Sequence, residues 1–106
     1  MSNVTSLLSH HPLVGRWRSE EDDGRSEYIV SAAPSGLSVK GCDFIDGEEF
    51  LISDVKWTES SVEFKTHMPS TGRKGHIVLT YVQSLQTVTM TYTFTDTCVA
   101  YKADER

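Results

Sequence analysis

The clearest pattern in the sequence lies at positions 87–95, which read Thr87-Val88-Thr89-Met90-Thr91-Tyr92-Thr93-Phe94-Thr95. Threonine alternates there with a large apolar or aromatic residue, and a repeat of two residues is typical of a β-strand and foreign to a helix. Because successive side chains in a strand point to opposite faces, the apolar residues share one face and the threonines share the other. We therefore predict a strand whose apolar face lies in the core.

Shorter alternating runs, each bounded by turn residues, precede and follow this stretch. They predict an all-β chain of eight short antiparallel strands. The predicted strands lie at residues 13–19, 25–31, 37–39, 50–57, 62–68, 75–82 and 87–95, with a last strand around Val99 and Tyr101.

The fourth predicted strand contains a break in its alternation. Phe50 and Ile52 have one parity, whereas Val55 and Trp57 have the other. One extra residue in a strand reverses the parity of the side chains that follow it. We therefore predict a β-bulge at position 53 or 54.

The turns between the later strands predict how those strands pair. A turn at 71–72 places Phe64 opposite Leu79, and in the next hairpin Tyr81 faces Val88. Both registers bring the large apolar residues to one side of the sheet at the same time. We expect that side to form the core.

Eight consecutive antiparallel strands can close into a ring or fold over as two sheets, and closure has the advantage that it leaves no edge strand that could aggregate. A chain of 106 residues has room for one core, so residues 1–106 are predicted to form a single domain. A short helical turn is expected at residues 4–8. The strand pattern therefore predicts one all-β domain of eight antiparallel up-and-down strands with a short N-terminal helix.

The start of the first strand reads His11-Pro12-Leu13-Val14-Gly15-Arg16-Trp17. Its Gly15-Arg16-Trp17 opening resembles the Gly-x-Trp signature of the calycin superfamily, which contains the lipocalins and small, bacterial-type lipocalin-like domains. The resemblance implies that the strands close, so the predicted fold is an eight-stranded antiparallel up-and-down β-barrel with a short N-terminal helix. It also implies that Gly15 lets the first strand bend and that Trp17 plugs the closed end. It also implies a basic residue over that tryptophan, for which Lys102 and Arg106 are the candidates.

Composition limits the partners and the location of the protein. A formal net charge of -5 disfavours nucleic acid, since phosphate binding depends on clustered lysine and arginine. The first residues carry neither a positive cluster nor a long apolar run, so we predict a cytoplasmic protein without a membrane partner. Cys42 and Cys98 are far apart in the sequence, and we interpret both as free thiols.

The predicted barrel leads to a ligand-binding hypothesis. An eight-stranded barrel has room for packed side chains or for one small ligand. Buried tyrosine hydroxyls need hydrogen-bond partners, which can be a ligand, the backbone or one another. We predict a small, mostly apolar ligand that enters past charged loops bearing Asp46 and Arg73. The predicted ligand-binding residues are Trp57, Phe64, Tyr81, Met90, Tyr92 and Tyr101.

No cofactor, metal or catalytic residue is predicted. His67 and His76 fall opposite each other in the predicted hairpin, but two imidazoles without a third ligand are more typical of an exposed strand than of a metal site. Residues 20–23 are acidic but lack the alternating ligand spacing of a calcium loop. No serine or cysteine lies in a recognisable nucleophile motif.

Two other functions stay open. The outer face of strands six to eight carries almost no charge, which favours a homodimer in which these faces pack together and a filled barrel serves as an interaction module. Lipocalin-like barrels also include isomerases and cyclases, so the resemblance leaves a pocket enzyme as a further alternative. The uncharged outer-face residues are Val78, Thr80, Val82, Thr89, Thr91, Thr93 and Ala100.

Overall fold

The structure is a computed structural model that describes residues 10–19 and 24–103. These residues form one antiparallel sheet, in which each strand pairs with the strands before and after it in the chain. The sheet curls into a half-barrel. Its strands are β1 (Gly15–Arg18), β2 (Ser26–Ala33), β3 (Gly36–Asp43), β4 (Glu49–Trp57), β5 (Ser61–His67), β6 (Lys74–Val82) and β7 (Thr87–Thr95), with a short 3-10 helix (Gln83–Leu85) before β7.

The all-β, up-and-down architecture is confirmed, but the eighth predicted strand does not occur in the described residues. Residues 96–103 form no strand, and Val99 and Tyr101 are 93% and 89% exposed. Because these side chains are exposed, the segment buries little apolar surface to offset the entropy that is lost when a strand is ordered. The sheet therefore has two edges, β1 and β7, instead of closing into a ring. The helix predicted at 4–8 lies outside the described residues.

The core lies on the inner face of the curled sheet. Alternate residues of β2, β5 and β6 are buried there, as a repeat of two residues predicts. The Phe64 ring stands edge-on to the Tyr28 ring with centroids 5.2 Å apart. This contact links β5 to β2 across the core. The largest fully buried side chains are Tyr28, Phe64, Leu13, Ile77, Leu79, Val30 and Val62.

The segment before β1 covers one end of the core. Leu13 is fully buried, and its carbonyl accepts a 2.8 Å hydrogen bond from Nε1 of half-buried Trp17. The Leu13 N–H donates to His11 Nδ1 over 3.1 Å, so His11 Nε2 carries the proton and donates to the Thr58 carbonyl over 2.7 Å. These bonds fasten the segment to the turn after β4.

The predicted bulge in β4 is confirmed. The pairing of β4 with β5 shifts between Ser53 and Lys56, and Asp54 has a left-handed backbone with a φ of 53°. The extra residue changes the parity of the strand, so that Ile52 and Val55 both pack against the core.

The register is confirmed in one predicted hairpin and wrong in the other. The β6–β7 hairpin pairs its residues as predicted. In the β5–β6 hairpin, Phe64 pairs with Ile77, two residues before the predicted partner. The turn is shorter than expected and centred one residue earlier: it spans 69–72 and is closed by a 2.9 Å hydrogen bond from the Met68 N–H to the Arg73 carbonyl. An even shift leaves every side chain on its predicted face.

Candidate functional site

A cleft opens in the sheet where β3 and β4 separate. Within these strands the ladder comprises two residue pairs, Gly41–Phe50 and Cys42–Glu49. Beyond them β3 stays paired with β2, whereas β4 pairs with β5. A cavity of about 400 Å³ lies at this separation.

The walls of the cleft are largely apolar because the diverging strands present side chains of both parities. Phe50, Leu51 and Ile52 are three consecutive apolar residues of β4, and all three line the cavity. Ile29 of β2 and Val39 of β3 face them from the other side. The lining residues are Glu27, Ile29, Val39, Lys40, Gly41, Cys42, Glu49, Phe50, Leu51 and Ile52.

Gly41 forms the floor of the cleft. A Cβ at this position would lie 3.0 Å from the Tyr28 ring and 3.1 Å from the Phe50 ring. Glycine therefore lets the two rings approach across β3, with their centroids 6.3 Å apart. The cleft is backed at this point by the aromatic core.

One wall of the cleft carries a buried carboxylate. Glu27 is 5% exposed, and its oxygens lie 2.7 Å from Arg16 Nε and 3.4 Å from Arg18 Nη2. Both arginines come from β1, which pairs Arg18 with Glu27. A buried carboxylate needs such partners, because an unpaired charge in a low-dielectric environment is costly. The ion pairs hold this wall in place.

The Cys42 thiol lies beside this carboxylate in the cleft. Burial raises the pKa of Cys42, and the nearby carboxylates of Glu27, Asp43 and Glu49 raise the pKa further, against the opposing effect of Arg16. The thiol is therefore protonated near neutral pH. It offers the cleft a soft, weakly polar surface and not an activated nucleophile.

Asp43 organises the turn that joins β3 to β4 next to the cleft. Its Oδ1 accepts hydrogen bonds from the N–H groups of Ile45 (2.9 Å) and Asp46 (3.3 Å), and its Oδ2 lies 2.9 Å from Arg25 Nε. Burial acts to raise the pKa of Asp43, but these hydrogen bonds and the arginine outweigh burial and lower the pKa. The charged carboxylate thus fixes the turn from which the two strands diverge.

The residues predicted to contact a ligand lie outside this cleft. One is buried in the core, three pack half-buried against it, and two are 40% and 89% exposed. Their contact with a ligand stays a prediction. The buried residue is Phe64, the half-buried residues are Tyr81, Met90 and Tyr92, and the exposed residues are Trp57 (40%) and Tyr101 (89%).

The structure brings together the two charged loops, bearing Asp46 and Arg73, past which the ligand is predicted to enter. The Glu48 carboxylate, in the turn after β3, accepts hydrogen bonds from the Ser70 N–H (2.8 Å) and hydroxyl (2.6 Å), in the loop after β5. In the same loop, the Arg73 guanidinium lies 3.9 Å from the centroid of the Phe94 ring.

The predicted pairing of His67 with His76 is wrong. His67 pairs with Lys74 and His76 pairs with Lys65, because the register of this hairpin differs by two residues from the prediction. His76 Nε2 lies 2.8 Å from a carboxylate oxygen of Glu63. Among the described residues, no group of three or more His, Cys, Asp and Glu side chains could hold a metal ion. The acidic run at 20–23 lies outside them.

Sequence reasoning missed the cleft because it treated β3 and β4 as neighbours along their full length. The sequence does indicate the cleft in two runs, 28–30 and 50–52, where three consecutive apolar residues point to both faces of the sheet. Such runs indicate a strand that is covered on both faces, whereas a strand with one solvated face alternates. The two runs lie on the strands that flank β3, and both contribute to the cleft.

Comparison with models of protein families, with curated proteins and with solved structures finds no match to this chain. The resemblance of the Gly15-Arg16-Trp17 opening to the calycins therefore stays a prediction. Of the basic residues that it implies over the tryptophan, Lys102 is exposed and Arg106 lies outside the described residues. In the part of the chain that the structure describes, no helix has the length and apolar character needed to cross a bilayer.

Proposed function

We propose that the protein binds a small, mostly apolar molecule in the cleft between β3 and β4. The observation that carries the proposal is the cavity of about 400 Å³ at the point where these strands separate. Ligand sites are typically concave and largely apolar, with volumes of roughly 300–1,000 Å³ and a few polar groups that orient the ligand. The cleft has each of these properties. Ligand binding is also what the resemblance to lipocalin-like domains implies.

The affinity for the proposed ligand comes chiefly from the apolar side chains that line the cleft. Leu51 lines the cavity and is 60% exposed, and Ile29 and Ile52 lie beside it, each half-buried. Covering apolar surface contributes roughly 25 cal/mol per Å². A ligand that covers these side chains is therefore bound chiefly by the hydrophobic effect.

The polar groups of the cleft set the orientation of the ligand. Lys40 and Glu49 are exposed lining residues on the two diverging strands. Because the ladder between β3 and β4 ends at Gly41 and Phe50, backbone N–H and C=O groups beyond this pair face the cleft instead of each other. We expect a ligand with an apolar body and one polar end.

The lining residues favour binding over catalysis. The raised pKa of Cys42 keeps its thiol protonated, and the Glu27 carboxylate is engaged by Arg16 and Arg18. Covalent catalysis needs a nucleophile that is activated by a base or by a lowered pKa. The pocket-enzyme alternative gains no support from these groups.

The test compares two leucines of similar exposure. Leu51 lines the cleft and is 60% exposed, whereas Leu85 is 69% exposed in the 3-10 helix and does not line the cleft. The full chain is titrated with the neutral, apolar dye N-phenyl-1-naphthylamine and its fluorescence is followed. We expect Leu51→Lys to weaken dye binding about tenfold, equivalent to about 1.4 kcal/mol. Leu85→Lys is expected to leave the affinity unchanged.

Two results would overturn the proposal. One is the absence of saturable dye binding to the unaltered chain. The other is equal affinity of the Leu51→Lys and Leu85→Lys variants, which would place the dye elsewhere. Circular dichroism and urea unfolding of each variant establish that both keep the fold.

A further inference from the structure

The last strand of the sheet, β7, has a long edge that no described strand covers. β7 pairs with β6 along one side over residues 87–95, and the sheet ends at β7. Its nine residues contain no charge, glycine or proline. Natural sheets usually protect an edge with charges, proline, bulges or a very short strand, because unpaired backbone groups invite another strand. β7 has none of these protections.

The inner face of β7 is only partly covered. Val88, Met90, Tyr92 and Phe94 pack against the core but stay half-buried, whereas the core residues of β5 and β6 are fully buried. Residues 96–103, which include the predicted last strand around Val99 and Tyr101, form no strand. The apolar face of the sheet therefore continues up to an edge and stops there.

We propose that the edge of β7 binds the β7 edge of a second copy of this chain. The two strands run antiparallel about a twofold axis, with Thr91 of one copy opposite Thr91 of the other. In this register Val88 lies opposite Phe94, and Met90 lies opposite Tyr92. The four apolar side chains of each copy then form one continuous inner stripe, and the threonines form a ladder on the outer face.

The charge pattern favours a second copy as the occupant. Twofold pairing brings identical sequences together, and like charges directly opposite each other are destabilising. The chain has a net charge of -5, yet β7 contributes none of it, so self-pairing meets no repulsion within the strand. The other edge, β1, is four residues long and bears Arg16 and Arg18. Of the two edges, only β7 suits self-association.

This interface differs from face-to-face packing of the outer threonine surfaces, and it does not depend on a ligand in the cleft. In edge pairing the contact is backbone to backbone along β7. In face packing the contact includes the outer face of β6, where Thr80 lies beside Thr89. Substitutions at Thr91 and Thr80 therefore separate the two arrangements.

Disulfide formation tests the register. In the full chain carrying Cys98→Ser, Thr91→Cys places two thiols on directly opposed residues, whose Cα atoms lie about 4.5–5.5 Å apart, within the span of roughly 4.4–6.8 Å that a disulfide bridges. Thr89→Cys is the matched control, because two such residues lie four positions apart along the strands, or about 13 Å. We expect covalent dimers for Thr91→Cys under mild oxidation and at least tenfold fewer for Thr89→Cys. Equal yields would overturn the register.

Analytical ultracentrifugation of the full chain tests the interface itself. We expect a dimer that Thr91→Lys weakens at least tenfold, because two lysines then lie opposite each other at the centre. Thr80→Lys is expected to leave the dimer unchanged. A monomer at every concentration up to the millimolar range would overturn the proposal. So would a dimer that Thr80→Lys dissociates, because face packing buries Thr80 and edge pairing does not.

Discussion

A glycine of β3 lies at each end of the gap between β3 and β4, and at each one the missing side chain makes room for an aromatic ring. At one end Gly41 admits the Tyr28 and Phe50 rings. At the other end, a Cβ on Gly36 would lie 2.5 Å from Trp57 Nε1, and its φ of 139° lies in a region that glycine favours. Aromatic rings therefore pack against β3 at both glycines.

Asp43 is expected to make the stability of the protein sensitive to acid. Its pKa in the folded chain is lowered, so its contribution to stability is present above the unfolded value of about 3.9 and is lost as the pH falls through the folded value. Asp43→Asn should lower the urea midpoint at pH 7 and flatten the fall in stability below about pH 4.

Urea unfolding followed by circular dichroism between pH 2.5 and pH 7 measures this dependence. Asp54→Asn is the control, because Asp54 is an exposed residue with a left-handed backbone that asparagine accepts. The role assigned to Asp43 would be contradicted if both variants shifted the acid dependence equally.

Single-residue roles were harder to predict from sequence than burial. Parity correctly placed Tyr28, Val30 and Phe64 on the buried face, because the repeat of two residues survives any even error in register. The predicted pairing of His67 with His76 was wrong because the partner of a residue across a hairpin depends on the exact position of the turn.

Among the structural elements, the segment before β1 makes the clearest energetic contribution. Leu13 is fully buried although it precedes the strand. Leu13→Ala is expected to destabilise the fold by about 2–5 kcal/mol, the usual cost of a leucine-sized cavity in a core. Leu85→Ala, at a 69% exposed position, should change stability by less than about 0.5 kcal/mol.

The free energy of unfolding from urea titration measures both variants. A loss of less than about 1 kcal/mol for Leu13→Ala would contradict a plugging role for the segment, since surface truncations rarely cost more. An unchanged slope of the free energy against urea would show that the variants differ in stability and not in the compactness of either state.

The strands could be predicted from sequence because their apolar residues alternate, and the β4 bulge could be predicted because alternation breaks there. The eighth strand was wrongly predicted for a related reason. Val99 and Tyr101 alternate correctly, but alternation shows only that a segment fits a strand. Whether a neighbour covers that strand depends on contacts distant in sequence, which a local pattern does not record.

At the scale of the whole molecule, the half-barrel has a plugged end, a cleft and an open edge. Leu13 plugs one end, β3 and β4 separate at the cleft, and β7 ends the sheet. Closure of eight strands would have removed the edge. The cleft arises from the divergence of two strands, a long-range property of the sheet that the sequence signals only through its apolar runs.

The most direct test of ligand binding in the cleft is a titration of the ¹⁵N-labelled full chain with N-phenyl-1-naphthylamine, followed through backbone amide chemical shifts. Binding in the cleft predicts that the saturable shifts are largest at residues 40–42 and 49–52, which line it. Shifts centred instead on Tyr81, Met90 and Tyr92, or no saturable shift at all, would contradict it.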